Sequence, residues 1–421
     1  MKRDNEITAG HLYATVKAKQ LADIQSRMPE DRQGVEVEYN GKRYIAFIRR
    51  LTPAECGRLQ GIPEDYDWTN VSETNQYFAM GNGWQVDTIK HCFSFMPKFD
   101  RPIRVWSLFD GMACCAITLK ELGIPVERYV SSEIEKSDLI AEKNNFPDMI
   151  QVGDVTKMNV AELVEKYGAP DLLTAGSPCQ SFSFSGKMKG MVTSVGEEIY
   201  SLDRYLELKN GGFQFEGQSY LFWEFIRILT ELREYNPDIL FFLENVNMLE
   251  KWERCLSHAV GIRGVHINSA LVSAQSRQRI YWSNFRVREL GTPSLFDFSD
   301  DPFDLPDCET DIPQPEDRGI VINDILDETA DSKYYLRDEI VKKLMEKTDK
   351  LKLVDYLKEP QVSVEELLEE LNTNPEYAGM SDEEKRELAE SAYAAEAKLL
   401  DELYNGKRML PDEMDEDEQE G

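Results

Sequence analysis

Between positions 103 and 286, short apolar runs alternate with stretches whose apolar residues recur at helical spacing. Val105-Trp-Ser-Leu-Phe109 is an apolar run, Asp110-Gly111 a turn, and Ala113 to Gly123 carries Ile117, Leu119 and Leu122 on a helical pattern. Arg128-Tyr-Val-Ser-Ser132 and Ile150-Gln-Val152 read as further strands, Leu221 to Leu229 as a helix, and Ile239-Leu-Phe-Phe-Leu243 as a buried strand too short to span a membrane. Strands alternating with helices predict an α/β fold around a largely parallel sheet. Near the N-terminus, Tyr39-Asn-Gly-Lys42 reads as a hairpin turn within Val35 to Ile48. Past 338 the pattern becomes helical and acidic. Glu339 to Lys358, Val362 to Asn372 and Ser381 to Tyr404 each carry apolar residues at helical spacing, and Ser381-x-x-Glu384 is a capping-box start. Asp412 to Glu420 reads as a disordered acidic tail.

Composition limits the partners. The 421 residues suffice for one large and one or two small domains, and the formal charge is -30. Residues 331 to 421 hold 27 Asp and Glu against 13 Lys and Arg. Phosphate binding needs cations, so this charge argues against indiscriminate nucleic-acid binding. It leaves room for a local basic groove, for which the candidates are Lys187, Lys189, Arg204 and Lys209, then Arg263, Arg277, Arg279, Arg286 and Arg288; any one of them other than Arg277 and Arg279 is better read singly as a solvated surface residue. Seven Cys, at 56, 92, 114, 115, 179, 255 and 308, form no C-x-x-C, so neither a zinc site nor a disulfide framework is expected and a reducing cytoplasm is. The N-terminus lacks the apolar core of a signal peptide, which predicts a soluble intracellular protein.

Three ordered clusters carry the chemistry. Pro178-Cys179, Glu244-Asn245-Val246 and Gln275-x-Arg277-x-Arg279 supply a thiol nucleophile, a carboxyl proton donor and two fixed cations. This set suits addition of a thiolate to C6 of a cytosine, with the carboxyl on the N3/N4 edge and the Arg pair on O2 and the anionic partners. Upstream, Gly111 allows close approach of the backbone to a ligand. Glu133 stands 23 residues beyond Asp110 at a strand end, the position of a ribose acceptor in nucleotide-binding crossovers, and Asp154 follows the next strand. Taken singly, each of these two carboxylates is better explained as a solvated strand end. No G-x-G-x-x-G and no G-x-x-x-x-G-K-[ST] occurs, so an adenosine without phosphates fits better than a dinucleotide or a nucleoside triphosphate.

These residues resemble the cytosine-C5 DNA methyltransferase family. Ser107-Leu-Phe-Asp-Gly111, Ser132-Glu133, Gly153-Asp154-Val155, Gly176-Ser-Pro-Cys-Gln-Ser-Phe-Ser183, Phe242-Leu-Glu-Asn-Val246 and Gln275-Ser-Arg-Gln-Arg-Ile-Tyr281 are similar to its ordered motifs. The first looks more like the de novo animal enzymes than the usual bacterial pattern, and Cys114 and Cys115 stand where small Gly residues are more usual. Arg50-Leu-Thr-Pro-Ala-Glu-Cys-Gly-Arg-Leu-Gln-Gly-Ile-Pro63 and Met80-Gly-Asn-Gly-Trp-Gln-Val-Asp-Thr-Ile89 resemble the motifs that usually close the family's chain, yet here they open it. The sequence therefore looks circularly permuted, which is reasonable where domain termini lie close together.

The resemblance implies a Rossmann-like S-adenosylmethionine-dependent methyltransferase sheet, a small recognition region and a helical acidic C-terminal region. It implies S-adenosyl-L-methionine as cofactor, held by Phe109, Asp110, Gly111, Glu133, Ile134, Asp154, Val155, Pro178, Leu221, Asn82 and Trp84, and catalysis by Cys179, Glu244, Arg277 and Arg279. Trp84 is equally well read as a core aromatic. The expected partner is double-stranded DNA, with homo-oligomerisation through the C-terminal helices and a bacterial or phage-encoded, nucleoid-associated setting. Expected divisions are 1–48 in the recognition region, 49–100 for the permuted closing motifs, 101–290 for catalysis, 291–337 as a linker and 338–421 as the acidic region. The stretch 186–220 is an inserted loop with Gly at 186, 190, 196, 211, 212 and 217. It reads either as a flap that closes behind DNA or as an ordered appendage. An RNA cytosine methyltransferase of the same fold, a non-catalytic nucleic-acid-binding regulator and a thiol enzyme of free pyrimidine nucleotides are the competing readings.

Overall fold

The computed structural model describes residues 12–15, 28–39, 42–178, 191–290, 305–327, 330–343, 381, 383 and 385–386. Cys179, Lys187, Lys189, the acidic tail and, apart from 381, 383 and 385–386, the helical stretches expected beyond 343 therefore lie outside the described residues. The chain forms two units, Met1–Leu51 with Thr329–Gly421, and Thr52–Glu328. Among the described residues no helix is long and apolar enough to cross a membrane.

In the first unit, β1 (Leu12–Thr15), β2 (Val35–Tyr39) and β3 (Lys42–Arg49) form an antiparallel sheet in the order β1-β3-β2. Tyr39 pairs with Lys42, which is the hairpin that Asn-Gly predicts. Ile48, Val35 and Val341 share a small core, and the Asp338 carboxylate accepts the backbone N–H groups of Gln33 and Gly34 at 2.9 and 3.0 Å.

The second unit contains the main sheet, built from β4 (Ile103–Leu108), β5 (Val126–Ser132), β6 (Ile150–Gln151), β7 (Leu172–Gly176), β8 (Leu240–Val246), β9 (Val265–Asn268) and β10 (Gln278–Ser283). Its order is β6-β5-β4-β7-β8-β10-β9. The first five run parallel, and β10 is antiparallel to both its neighbours. The strand order reverses between β4 and β7, so a crevice opens beyond the carboxyl ends of those two strands, the usual ligand position in open α/β sheets.

Alternate residues of each central strand enter different cores, as the period-2 pleat requires. Trp106, Leu173, Phe241 and Ile280 pack on one face with the helices Phe222–Arg233 and Glu250–Val260. Val105, Leu172, Phe242 and Tyr281 pack on the other with the helices Glu73–Asn82, Val86–Phe93 and Cys114–Glu121. The early motifs thus cover one face of the sheet. Their first helix, Pro53–Gln60, is delimited by local chemistry. Thr52 and Glu55 form a capping box, Pro53 opens the first turn, and Gly61 closes it at φ 69°. Glu55 is fully buried and its second oxygen accepts the Asp327 N–H at 2.8 Å.

The described part of the insertion, 191–220, is an ordered appendage. It contains the helix Leu202–Asn210 and short antiparallel bridges at Val192/Glu198 and Thr193/Phe215, and it buries Met191, Ile199 and Tyr205 in the first core.

Candidate active site

The carboxyl end of β4 is shaped by backbone conformation. Phe109, Gly111 and Ala113 take φ of 56°, 58° and 63°, so the chain turns three times through the left-handed region within five residues. Only Gly111 does so without strain, and strained backbone clusters where ligands are held. The turn leaves Phe109 half-buried against the first core, which Leu221 also joins. The helix Cys114–Glu121 starts at Ala113 with no side chain capping its free N–H groups.

Glu133 ends β5 and closes over this turn. Gly111 N–H donates to its Oε2 at 2.8 Å, and the Ile134 and Glu135 N–H groups donate to Oε1 at 2.6 and 2.7 Å. Its neighbour Ile134 is 65% exposed, a bare apolar side chain at the crevice. Asp154 caps the 3-10 turn Val155–Lys157 through its Oδ1, which accepts from Thr156 N–H and Oγ, while Lys157 lies 3.2 Å from Oδ2. Burial alone would raise this carboxyl, but the Thr156 and Lys157 contacts hold it below the usual carboxylate range. Val155 is buried beneath it.

Asp110 turns inward. Its Oδ1 accepts Ser107 Oγ at 2.5 Å and Tyr129 O–H at 2.9 Å. Behind it Glu142 accepts from Ser131 and Gln151. Burial, and then the Asp110 charge, push Glu142 up to about 10, and burial raises Asp110 itself. Asp110 therefore shapes the turn from inside, while Phe109, Gly111 and Glu133 form its outer rim.

On the other half of the crevice, β8 lies between β7 and β10, and Glu244 is in register with Gly176 on one side and Tyr281 on the other. Gly176 opens the run that leads through Ser177 and half-buried Pro178 to Cys179. Arg279 Nε stands 3.0 Å from Glu244 Oε1, an ion pair by proximity whose N–H does not point along the contact, and its Nη1 donates to Gln278 O. Asn245 Nδ2 donates to Ser177 Oγ at 2.9 Å and holds the approach to Pro178. Sequence reasoning gave Asn245 no role, although it stands in the middle of Glu244-Asn-Val246.

Arg277 serves a different part of the site. Its Nη1 and Nη2 donate to the carbonyls of Gly81 and Gly83 at 2.9 Å each. These flank Asn82, the exposed last residue of the helix Glu73–Asn82. Trp84 follows and is buried edge-on against Phe242, ring centroids 5.6 Å apart. A Cβ on Gly176 would come within 2.6 Å of Trp84 Nε1, so glycine there admits the indole to the end of β7. Cys114 Sγ donates to Trp84 O at 3.6 Å, with its thiol pushed up to about 12 by burial. Trp84 is thus at once a core aromatic and a wall beside the Gly-Ser-Pro-Cys turn, and Cys114 occupies space that glycine would leave empty.

Residues 4–98 and 103–260 match the model of the C-5 cytosine-specific DNA methylase family. The chain belongs to the C-5 cytosine-specific DNA methylase family. It is 30% identical over 194 residues to the DNA (cytosine-5)-methyltransferase DRM2 of Arabidopsis thaliana, covering 44% of this chain and 28% of that protein. It is 29% identical over 268 residues to the orphan methyltransferase M.Rho11sI of Bacillus phage rho11s, covering 61% and 50%. The chain thus spans between about a quarter and a half of the length of these relatives. Among solved structures, a DNMT2 variant from Spodoptera frugiperda aligns with a TM-score of 0.36 and 16% identity, over 72% of this chain and 98% of the other.

The candidate basic residues are engaged elsewhere. Arg204 pairs with Glu197 and Glu207, Lys209 with Glu224, Arg286 with Asp311 and Arg288 with Glu309. Arg263 Nε donates to Pro306 O at 2.8 Å. Each described candidate for a basic groove thus has an anionic or carbonyl partner within the chain.

Proposed function

We propose that the chain transfers a methyl group from S-adenosylmethionine to carbon 5 of a cytosine in double-stranded DNA, with Cys179 as the nucleophile. Family membership supports the reaction class. The observation that carries the residue roles is the Glu244–Arg279 ion pair at 3.0 Å, on a strand in register with Gly176, the residue that opens the Gly-Ser-Pro-Cys run.

The residues around β4 and β5 fit the donor. Phe109 and Leu221 offer apolar surface for adenine, Ile134 and Val155 flank it, and Asp154 takes the amino edge. Gly111 lets the backbone come close, and Asp110 fixes the turn. The Glu133 carboxylate, oriented by three backbone N–H groups, accepts ribose hydroxyls, while Asn82, Trp84 and Pro178 bound the methionine end. Bound there, the donor supplies an electrophilic methyl group.

The base must first leave the duplex, because C6 is unreachable within the stack. Cys179 then attacks C6 as its thiolate, forming the S–C6 bond and making C5 nucleophilic. Glu244 hydrogen-bonds the N3/N4 edge and stabilises the charge that develops on the ring. Arg279 orients Glu244 and reaches O2, and Arg277 holds the 81–84 segment. Once C5 carries the methyl group, its proton is lost to solvent, the electron pair restores the C5–C6 double bond, and the S–C6 bond breaks.

Duplexes carrying 5-fluorocytosine test this, because fluorine cannot leave as a proton and the adduct stays bound. The wild type with S-adenosylmethionine should give a covalent complex on a denaturing gel and Cys179→Ser none. An adduct formed by Cys179→Ser, or none by the wild type on any pool of randomised duplexes, sinks the proposal.

A further inference from the structure

The appendage touches the cofactor half of the crevice through the helix Leu202–Asn210. On the helix Leu202–Asn210, Lys209 Nζ donates to the backbone carbonyl of Thr156 at 3.0 Å and to Glu224 Oε1 at 2.5 Å. Glu224 is fully buried, and its other oxygen accepts Arg227 Nε at 2.7 Å. Arg227 in turn donates to the carbonyls of Val155 and Met158 at 3.3 and 3.2 Å. Tyr205, one helical turn before Lys209, also donates to Glu224 Oε1. Two cations bridged by one buried carboxylate thus grip the carbonyls of Val155, Thr156 and Met158 in the turn that presents Asp154 and Val155.

We propose that this appendage is a positioning element for cofactor binding, with Lys209 as the positioning residue that fixes the 154–158 turn through Thr156 O and Glu224. The proposal rests on the assignment of Asp154 and Val155 to the adenosine site. The grip acts on carbonyl oxygens, so it sets where the turn's N–H groups and the Asp154 side chain point. A buried carboxylate shared by two cations has few alternative geometries, since moving either cation leaves charge uncompensated. Anchoring by an element inserted elsewhere in the chain couples the packing of the insertion to the affinity of the site.

Titration calorimetry with S-adenosylhomocysteine, on full-length wild type, Lys209→Met and Lys209→Arg, tests it. Loss of one charge-assisted contact in Lys209→Met should weaken binding about tenfold. Its kcat at saturating cofactor should stay within about twofold, because the base side is untouched. Lys209→Arg, which keeps charge and donors, should bind within about threefold of wild type. In wild type, S-adenosylhomocysteine should slow amide exchange in 202–210 together with 154–158, a readout that does not depend on the variant folding. Unchanged affinity in Lys209→Met with a lowered Tm, or exchange in 202–210 indifferent to ligand, overturns the proposal and leaves the helix a packing element. Failure of the wild type to bind S-adenosylhomocysteine overturns the cofactor assignment, and the proposal with it.

Discussion

The two halves of the crevice are built by different means. At β4 and β5 the binding surface is made by backbone: three left-handed residues between Phe109 and Ala113, and a Glu133 carboxylate fixed by main-chain N–H groups. At β7, β8 and β10 it is made by side chains placed through strand register, with Glu244 against Arg279 and Asn245 against Ser177. A ligand that is only held can be met by a shaped main chain. The proposed transfer to a base also requires groups that carry full charge and exchange protons, and only side chains provide these. Damage to one half should therefore alter binding, and damage to the other should alter turnover.

Glu244→Gln should break the catalytic half most severely. It should lower kcat by about 10²- to 10⁴-fold while S-adenosylhomocysteine binding stays unchanged, as single-turnover methylation and calorimetry would report. Next in size is a contrast within one motif. Arg277→Met removes the hold on Gly81 and Gly83 and should raise the cofactor Kd about tenfold with little loss of kcat, whereas Arg279→Met should do the reverse. Equal effects from both would collapse the distinction between the halves.

Gly111→Ala probes the backbone half. The added Cβ would stand 4.0 Å from Asp138 Oδ2, an ordinary contact, so the cost arises from φ 58° alone. About 1–2 kcal/mol of stability should be lost, read from urea unfolding, with weaker cofactor binding and normal 5-fluorocytosine trapping at saturating donor.

A separate effect is one of pH. Asp138 is raised from 3.8 to about 7, first by burial and then by Glu133 and Glu135. The folded chain therefore keeps a proton that the unfolded chain releases above 3.8. Asp138 costs no stability below 3.8, and its penalty grows as pH rises to about 7. Asp138→Asn should thus match wild type at low pH and gain stability progressively toward pH 8, by up to about 4 kcal/mol. A gain independent of pH would show that the cause is not the carboxyl charge.

Some elements were plain from local pattern alone. The apolar run Val105–Phe109, the turn at Asp110-Gly111 and the helix after it appear as β4, a left-handed turn and Cys114–Glu121. The Tyr39–Lys42 hairpin and the start and stop of the helix Pro53–Gln60 likewise follow from residues adjacent in the chain. The insertion was ambiguous, because its glycines suit a loop while its order comes from Met191, Ile199 and Tyr205 entering a core supplied by distant strands. The partners of the basic candidates were hidden for a similar reason. A cation's partner can lie far along the chain: Lys209 meets Glu224, Arg286 meets Asp311 and Arg277 meets two glycine carbonyls nearly two hundred positions away.

The sequence by itself determined which chemistries were available and where the chain turns: the order of strands and helices, the glycine at 111, the carboxyl at 244 and the arginines beside it. Only the tertiary structure decided that Asp110 points inward, that Trp84 reaches Gly176, and that Arg277 and Arg279, two residues apart, serve different halves of the crevice. The reason is physical. Periodicity and turn propensity act between neighbours, whereas the direction of a side chain and its choice of partner are fixed by packing and charge compensation among residues brought together only when the sheet assembles.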